Sequence, residues 1–255
     1  MIKKELTINA WLIIGHILMM LSAGIILILT FDFPGILRES METTLNLFYK
    51  NRDFTVPAYY LFSLTGISFM TVAMLLYKTL EMKSTSAFLA VVFGVLFGLT
   101  SSLGFIRWPF LMIKLADLLN RNVIDKETLR LVYDSFHTYA GVSIGENFAF
   151  WFEFLWMYLF SSAIVHHQKY VPFYLARIGQ GLGIGMLVYS LEQFGGIFAA
   201  LEPLNMIVHT AQLAWFLALA FSLLNIGTPL EGRLNKTQST CSIALFLILI
   251  LVSFS

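Results

Sequence analysis

Apolar residues fill this chain in long runs that only short polar segments interrupt. Seven of these runs are predicted to cross a lipid bilayer, because a spanning helix needs about 20 mostly apolar residues. The seven runs cover residues 8–30, 57–77, 86–108, 143–165, 171–191, 204–226 and 240–254. The pattern predicts an all-α, polytopic membrane protein, a bundle of seven transmembrane helices in a single integral-membrane domain, residues 1–255.

Two segments between the runs have helical periodicity of their own. Residues 34–50 begin with Pro34, which suits a first helical turn, and residues 126–140 follow Asp125, a suitable N-cap. The apolar positions are Leu37, Met41, Leu45 and Phe48 in the first segment, and Leu129, Val132, Tyr133 and Phe136 in the second. We expect both segments to form amphipathic helices outside the hydrocarbon core, on one side of the membrane.

Lysine and arginine residues in the short loops predict the orientation, since cytoplasmic loops carry an excess of them. The short loops contain Lys78, Lys83, Lys169, Arg233 and Lys236. All of these fall on the same side of the predicted bundle as Lys3 and Lys4. The N-terminus is therefore expected in the cytoplasm and the C-terminus outside.

Composition excludes several classes of protein. The chain is 58% hydrophobic and 12% charged, whereas soluble domains are about 25% charged. A net charge of +1 argues against a nucleic-acid partner. The single cysteine, Cys241, allows neither an internal disulfide nor a cysteine-ligated metal site. No cofactor or metal is expected, and the partner that is expected is the lipid bilayer.

Ionisable residues inside the apolar runs carry the most information. A charged side chain at the centre of a span costs about 2.5–3.5 kcal/mol. The runs contain or border His16, Arg107, His137, Glu146, Glu153, Arg177, Glu192 and His209. These groups must pair, become neutral, reach the interface or face water.

Arg107 stands at the outer end of the third run, where Pro109 is expected to end the helix. The arginine either reaches the interface or faces a carboxylate inside the bundle. Glu146 and Glu153 are seven residues apart and therefore share one face of an α-helix. At least one of these carboxyl groups is expected to be neutral or to have a cationic partner.

The helix around His137 can follow one of two paths. A continuous helix over 126–165 would be roughly 60 Å long, twice the thickness of the hydrocarbon core. If it breaks at Gly141 and Gly145, His137 folds back towards Glu146. If it runs straight as an α-helix, His137 and Glu146 lie about 180° apart.

The sixth run has one polar face. Asn205, His209 and Gln212 fall at i, i+4 and i+7, so they must face protein or water rather than lipid. In the fifth run, small-residue contact between helices is expected at the alternating glycines Gly179, Gly181, Gly183 and Gly185.

Several stretches resemble a bacterial multi-pass membrane family catalogued as domain of unknown function 4386. They are residues 104–110 (GFIRWPF), 115–117 (LAD), 136–141 (FHTYAG), 145–146 (GE), 191–192 (LE) and 204–205 (LN). The resemblance covers about residues 8–226 and implies a multi-pass protein of the bacterial inner membrane, without implying a reaction. Arg107, His137, Glu146 and Glu192 match positions typical of that family, whereas His209 and His16 match less clearly.

Three functions fit these features. The first is a sensor or transporter that binds a small amphiphile, a lipid or an ion in a polar pocket of the outer half of the bundle. Its predicted ligand-binding residues are Arg107, His137, Glu146, Glu192 and His209. The second is an intramembrane enzyme that uses glutamate and histidine for acid–base or metal chemistry, although no catalytic residue is assigned. The third is a structural or accessory subunit in which the polar groups only fix helix packing.

Overall fold

The computed structural model describes residues 2–81, 83–166 and 170–225, and these form helices joined by short turns. The α-helices are α1 (Ile2–Phe31), α2 (Met41–Lys50), α3 (Arg52–Thr79), α4 (Thr85–Arg107), α5 (Ile113–Arg121), α6 (Lys126–Phe136), α7 (Ala149–His166), α8 (Phe173–Ser190) and α9 (Glu202–Leu224). The 3₁₀-helices are Gly35–Arg38, Leu191–Phe194 and Gly196–Leu201, and the π-helices are Trp108–Met112 and His137–Phe148.

Five helical segments of the described chain are long and apolar enough to cross a membrane. They are Lys3–Phe31, Arg52–Thr79, Thr85–Arg121, Lys126–Val165 and Gly196–Leu224. This confirms an all-α membrane protein. The fifth predicted run forms α8, but Arg177, Gln180 and several glycines make it less apolar than those five segments. The last predicted run, 240–254, lies outside the described residues, so the count of seven spans stays a prediction.

The first segment between the runs differs from its prediction at its beginning. An α-helix does not start at Pro34, because residues Gly35–Arg38 form a 3₁₀ turn and α2 starts at Met41. Ser40 has an extended backbone there, and its hydroxyl accepts a hydrogen bond from the Thr43 backbone N–H at 3.3 Å. This N-cap fixes the start of α2.

The second segment begins where it was predicted to begin. The Thr128 backbone N–H donates to the Asp125 carboxylate at 2.8 Å, so Asp125 is the N-cap of α6. This hydrogen bond lowers the pKa of Asp125, because it stabilises the ionised carboxylate.

Neither Pro109 nor the glycine pair interrupts the helices. The chain passes from α4 through the π-helix Trp108–Met112 into α5, so the expectation that Pro109 ends the helix was wrong. A π turn is wider than an α turn, which leaves more room for the proline ring beside the preceding turn. Residues Lys126–Val165 are likewise helical throughout, with His137–Phe148 wound as a π-helix.

The described chain forms two compact units, each assembled from segments that are distant in sequence. Unit 1 draws on the described residues within 2–17, 69–97 and 150–225, and unit 2 on residues 18–68 and 98–149.

Unit 2 has an aromatic core around Trp108. Tyr59 stacks on Trp108 with ring centroids 4.7 Å apart, and Phe31 and Phe48 each lie 5.2 Å from the Trp108 ring. Apolar side chains of α2 and α6 are buried in the same core, namely Met41, Leu45, Phe48, Leu129 and Tyr133. The apolar positions of both inter-run helices therefore pack against protein.

Unit 1 contains α7 and α9 in parallel, with α8 antiparallel to both. Phe150 contacts His209, and Trp156 contacts Trp215. Both pairs have the same separation in sequence, so α7 and α9 run in the same direction. On α8, a Cβ added at Gly183 would meet the Phe154 carbonyl oxygen at 3.2 Å. Such contact confirms small-residue packing at Gly183, whereas Gly181 meets no described atom within 4 Å.

One close helix approach in unit 2 joins two glycines, Gly104 and Gly145. A Cβ added at Gly104 on α4 would lie 2.5 Å from the Gly145 Cα, an atom of the facing backbone that cannot move independently. We expect Gly104→Ala to lower the free energy of unfolding by about 1–3 kcal/mol, the usual cost of overpacking. Thermal unfolding in a mild detergent measures this effect.

The matched control is Gly24→Ala on α1, where an added Cβ meets no described atom within 4 Å. Its stability should be unchanged or slightly higher, because alanine is the better helix former. Equal stability of the two variants would contradict the backbone contact.

Candidate functional site

Arg107 lies in the interior of unit 2, at the last residue of α4. It is only 8% exposed, and its guanidinium carbon lies 5.4 Å from the centroid of the Trp108 ring. Its Nη1 donates a hydrogen bond to the carbonyl of Gly104, one turn earlier in α4. The arginine therefore faces inward rather than reaching the interface, which decides between the two alternatives left by the sequence.

Gly141 makes room for the guanidinium. A Cβ added at Gly141 would lie 2.5 Å from Arg107 Nη2 and 2.7 Å from Cζ. The π-helix therefore contacts the flat guanidinium group directly through its backbone. Any larger residue at position 141 would displace Arg107.

The winding of the π-helix explains which residues surround Arg107. An α-helix has 3.6 residues per turn, which separates positions nine residues apart by about 180°. A π-helix pairs i with i+5 and takes roughly 4.4 residues per turn, so the same nine residues make about two full turns. His137 and Glu146 thus share one face, and both interact electrostatically with Arg107.

Several hydrogen-bonding atoms around Arg107 are buried without a protein partner. Among the described residues, no hydrogen bond reaches Arg107 Nε, the Tyr59 hydroxyl or His137 Nδ1. Tyr59 is fully buried, and its hydroxyl interacts electrostatically with Arg107. The Tyr133 ring stacks on His137 with centroids 5.3 Å apart. Buried polar groups are rarely left unsatisfied, and such a group needs an explanation.

The cluster is not closed off. His137 and Glu146 are both half-buried, whereas Tyr59 and Arg107 are buried. Glu146 also interacts electrostatically with Tyr59. We call Tyr59, Arg107, Tyr133, His137 and Glu146 the arginine cluster. The cluster contains the Arg107 cation and the N–H and O–H donors around it. Its one carboxylate, Glu146, lies at the more exposed side.

Unit 1 contains a second polar set, on the polar face predicted for α9. Asn205 Nδ2 donates to the Tyr189 hydroxyl at 2.7 Å, and His209 Nδ1 lies 2.9 Å from the Asn205 carbonyl oxygen. Gln212 Nε2 donates to Glu153 Oε1. This face contacts protein, as predicted.

A family model described as Domain of unknown function (DUF4386) matches residues 7–227. The chain belongs to this family. No curated protein and no solved structure matches the DUF4386 chain.

The residues predicted as one site divide between the two units of the DUF4386 chain. Arg107, His137 and Glu146 belong to the arginine cluster of unit 2, whereas Glu192 and His209 belong to unit 1. Glu192 accepts a hydrogen bond from Gln193 at 3.1 Å and is half-buried. A ligand-binding role for all five residues stays a prediction, as does the absence of a metal. Within the described residues, no group of three or more histidine, cysteine, aspartate or glutamate side chains has metal-binding geometry.

Sequence reasoning missed Tyr59, which lies deepest in the arginine cluster. Tyr59 and Tyr60 are neighbours in the second apolar run, yet Tyr59 is fully buried and Tyr60 is 47% exposed. The available signal was the helical spacing of Tyr59 and Phe62, which places both on one face.

An open depression of about 370 Å³ also lies on unit 2, lined by Arg52, Asp53, Val56, Pro57 and Ile113. It includes none of the predicted site residues.

The electrostatic coupling of Arg107 to Glu146 can be measured by a double-mutant cycle. Arg107→Met alone should destabilise this DUF4386 protein by about 3 kcal/mol, because the cluster loses its cation while a carboxylate remains. Adding Glu146→Gln should recover part of that loss, with a coupling energy of about 1–3 kcal/mol. Unfolding free energies measured in one detergent for the four proteins give the coupling. Additive effects would refute it.

Proposed function

We propose that this DUF4386 protein is a seven-span protein of the bacterial inner membrane that binds a small anionic amphiphile at the arginine cluster, as a sensor or transporter. One observation carries the proposal. Buried donors converge on Arg107 without partners among the described residues, whereas a purely structural cluster would have its groups satisfied. Protein partners for these donors would support the accessory-subunit hypothesis instead.

The chemistry of the cluster favours an anionic head group. Arg107 Nε and the Tyr59 hydroxyl can both donate hydrogen bonds. A phosphate or carboxylate supplies several acceptor oxygens and a charge opposite to that of the guanidinium. The half-buried side of the cluster, formed by His137 and Glu146, supplies the route by which such a head would enter.

The helical geometry also supports a binding role. π-Helical turns are rare and occur frequently at functional sites. Here the π-helix His137–Phe148 places His137, Gly141 and Glu146 around the guanidinium. An apolar tail would lie among the surrounding aromatic and aliphatic side chains of unit 2 or in the adjoining lipid.

Binding is tested with the purified full-length protein and three probes: dodecyl phosphate, dodecyltrimethylammonium and inorganic phosphate. Dodecyl phosphate should bind, and the cationic amphiphile of equal chain length should not. Tyr59→Phe removes only a hydroxyl without a described protein partner, so it should weaken binding about 2–10-fold without loss of stability. Isothermal titration at constant detergent concentration measures both affinities.

Tyr60→Phe is the matched control, because it makes the same change at the exposed neighbour and should leave affinity unchanged. Gly141→Ala should weaken binding further than Tyr59→Phe by displacing Arg107. If inorganic phosphate competes as well as dodecyl phosphate, the site takes an ion rather than an amphiphile. If no probe binds, the accessory-subunit hypothesis replaces the proposal.

The proposed orientation, with the N-terminus in the cytoplasm, has support from charge and from one contact. Lys78, at the end of α3, lies 3.9 Å from Glu5 at the start of α1, so two of the basic segments share a side. In a Cys241→Ser background, a cysteine at Asn122 should react with a membrane-impermeant thiol reagent in intact cells. A cysteine at Ser84 should react only after lysis. The opposite pattern would reverse the orientation.

A further inference from the structure

A buried carboxyl group in unit 1 takes no part in the proposed function. Glu153 on α7 is 2% exposed, and Gln212 on α9 is 3% exposed. The Gln212 amide donates to Glu153 Oε1, while Oε2 is buried without a hydrogen-bond partner among the described residues. None of the ion pairs formed by the described residues includes Glu153.

This environment suits a neutral acid and does not suit a carboxylate. An ionised carboxylate has about four acceptor positions, and only one donor reaches this one. An isolated buried charge costs far more than a buried neutral polar group, and that cost persists unless the charge is paired. Gln212 is neutral, so it supplies a hydrogen bond but no compensating charge.

The surroundings of the pair are aromatic. Trp156, one turn after Glu153, stacks on Phe216 with centroids 5.7 Å apart, and Phe69 of α3 packs against both rings. The Trp156 and Phe216 rings lie one turn along α7 and α9 from the buried pair, and the three rings add no charged group to its surroundings.

Ring contacts bring three other titratable side chains near the Glu153–Gln212 pair. They are His16, His209 and Tyr189. His209 of α9 lies one turn before Gln212, and its ring contacts Phe150 and Tyr189 at 5.7 and 6.1 Å. His16 of α1 contacts Phe69 and Phe216. Neither histidine forms an ion pair with Glu153 in the described structure.

We infer that Glu153 and Gln212 form a proton-binding site inside unit 1, in which Glu153 is held as the neutral carboxylic acid. The ligand is a proton. Because the Gln212 amide donates to Oε1, Oε1 is the carbonyl oxygen of the acid. Oε2 is then the hydroxyl oxygen, which carries the proton. The inference goes beyond the proposed function and does not depend on it, because the arginine cluster uses other residues.

Infrared spectroscopy of the full-length protein in lipid tests the inference at neutral pH. The wild type should show the carbonyl stretch of a protonated carboxylic acid, and Glu153→Gln should lose that band completely. Glu153→Gln keeps the acceptor for Gln212 and should therefore fold. Gln212→Leu should move the band to higher frequency, because the carbonyl loses its hydrogen bond. Glu146→Gln, which changes the carboxyl group of the arginine cluster, should leave the band in place.

Dicyclohexylcarbodiimide gives a second readout, since it is apolar and reacts with protonated carboxyl groups. The acid proton passes to a carbodiimide nitrogen, a carboxyl oxygen bonds to the central carbon, and an acyl shift from oxygen to nitrogen leaves a stable N-acylurea. One label at Glu153, absent from Glu153→Gln and retained in Glu146→Gln, supports the site. A carbonyl band or a label that survives Glu153→Gln would overturn it, whatever the result of the dodecyl phosphate titration.

Discussion

Burial of the Arg107 guanidinium is the constraint around which unit 2 is arranged. A cation inside an apolar core must have polar groups and an opposite charge near it, or it destabilises the fold. Unit 2 supplies the Gly104 carbonyl, the Trp108 ring, and the electrostatic partners Tyr59 and Glu146. Tyr59 and Glu146 lie far from Arg107 in the sequence, so their interactions with the guanidinium connect α3 and the π-helix His137–Phe148 to the end of α4.

The π-helix follows from the same constraint. Gly141 must meet the guanidinium face, and Gly145 must meet Gly104, so the backbone between them approaches α4 at two neighbouring points. In an α-helix, the nine residues from His137 to Glu146 would place these side chains on opposite sides. The wider π winding places His137 and Glu146 towards Arg107, although its hydrogen-bond geometry is poorer than that of an α-helix. Such unusual backbone geometry is retained where the surrounding structure fixes it.

The helices were predictable because each depends on local sequence. Apolar runs marked five of the segments suited to a bilayer, and Asp125 marked the start of α6. The sequence also identified Arg107, His137 and Glu146 as unusual, because buried charge is costly wherever it occurs. The spacing of Tyr59 and Phe62 places both on one helix face, but whether that face is the buried one depends on how α3 is rotated within unit 2. The sequence-based prediction also assumed α-helical periodicity at Pro109 and Gly141, which is the assumption that failed.

The two units treat buried polar groups in opposite ways. Unit 2 keeps a cation and surrounds it with donors, several of them without a described protein partner, which suits an anionic guest. Unit 1 gives Glu153 one neutral amide and aromatic surroundings, which suits a bound proton. In an apolar medium, each arrangement favours the ligand that completes the polar atoms left without a described protein partner. Donors without a described partner beside Arg107 favour a ligand with several acceptor oxygens, whereas a carboxyl group without a described cationic partner favours a proton.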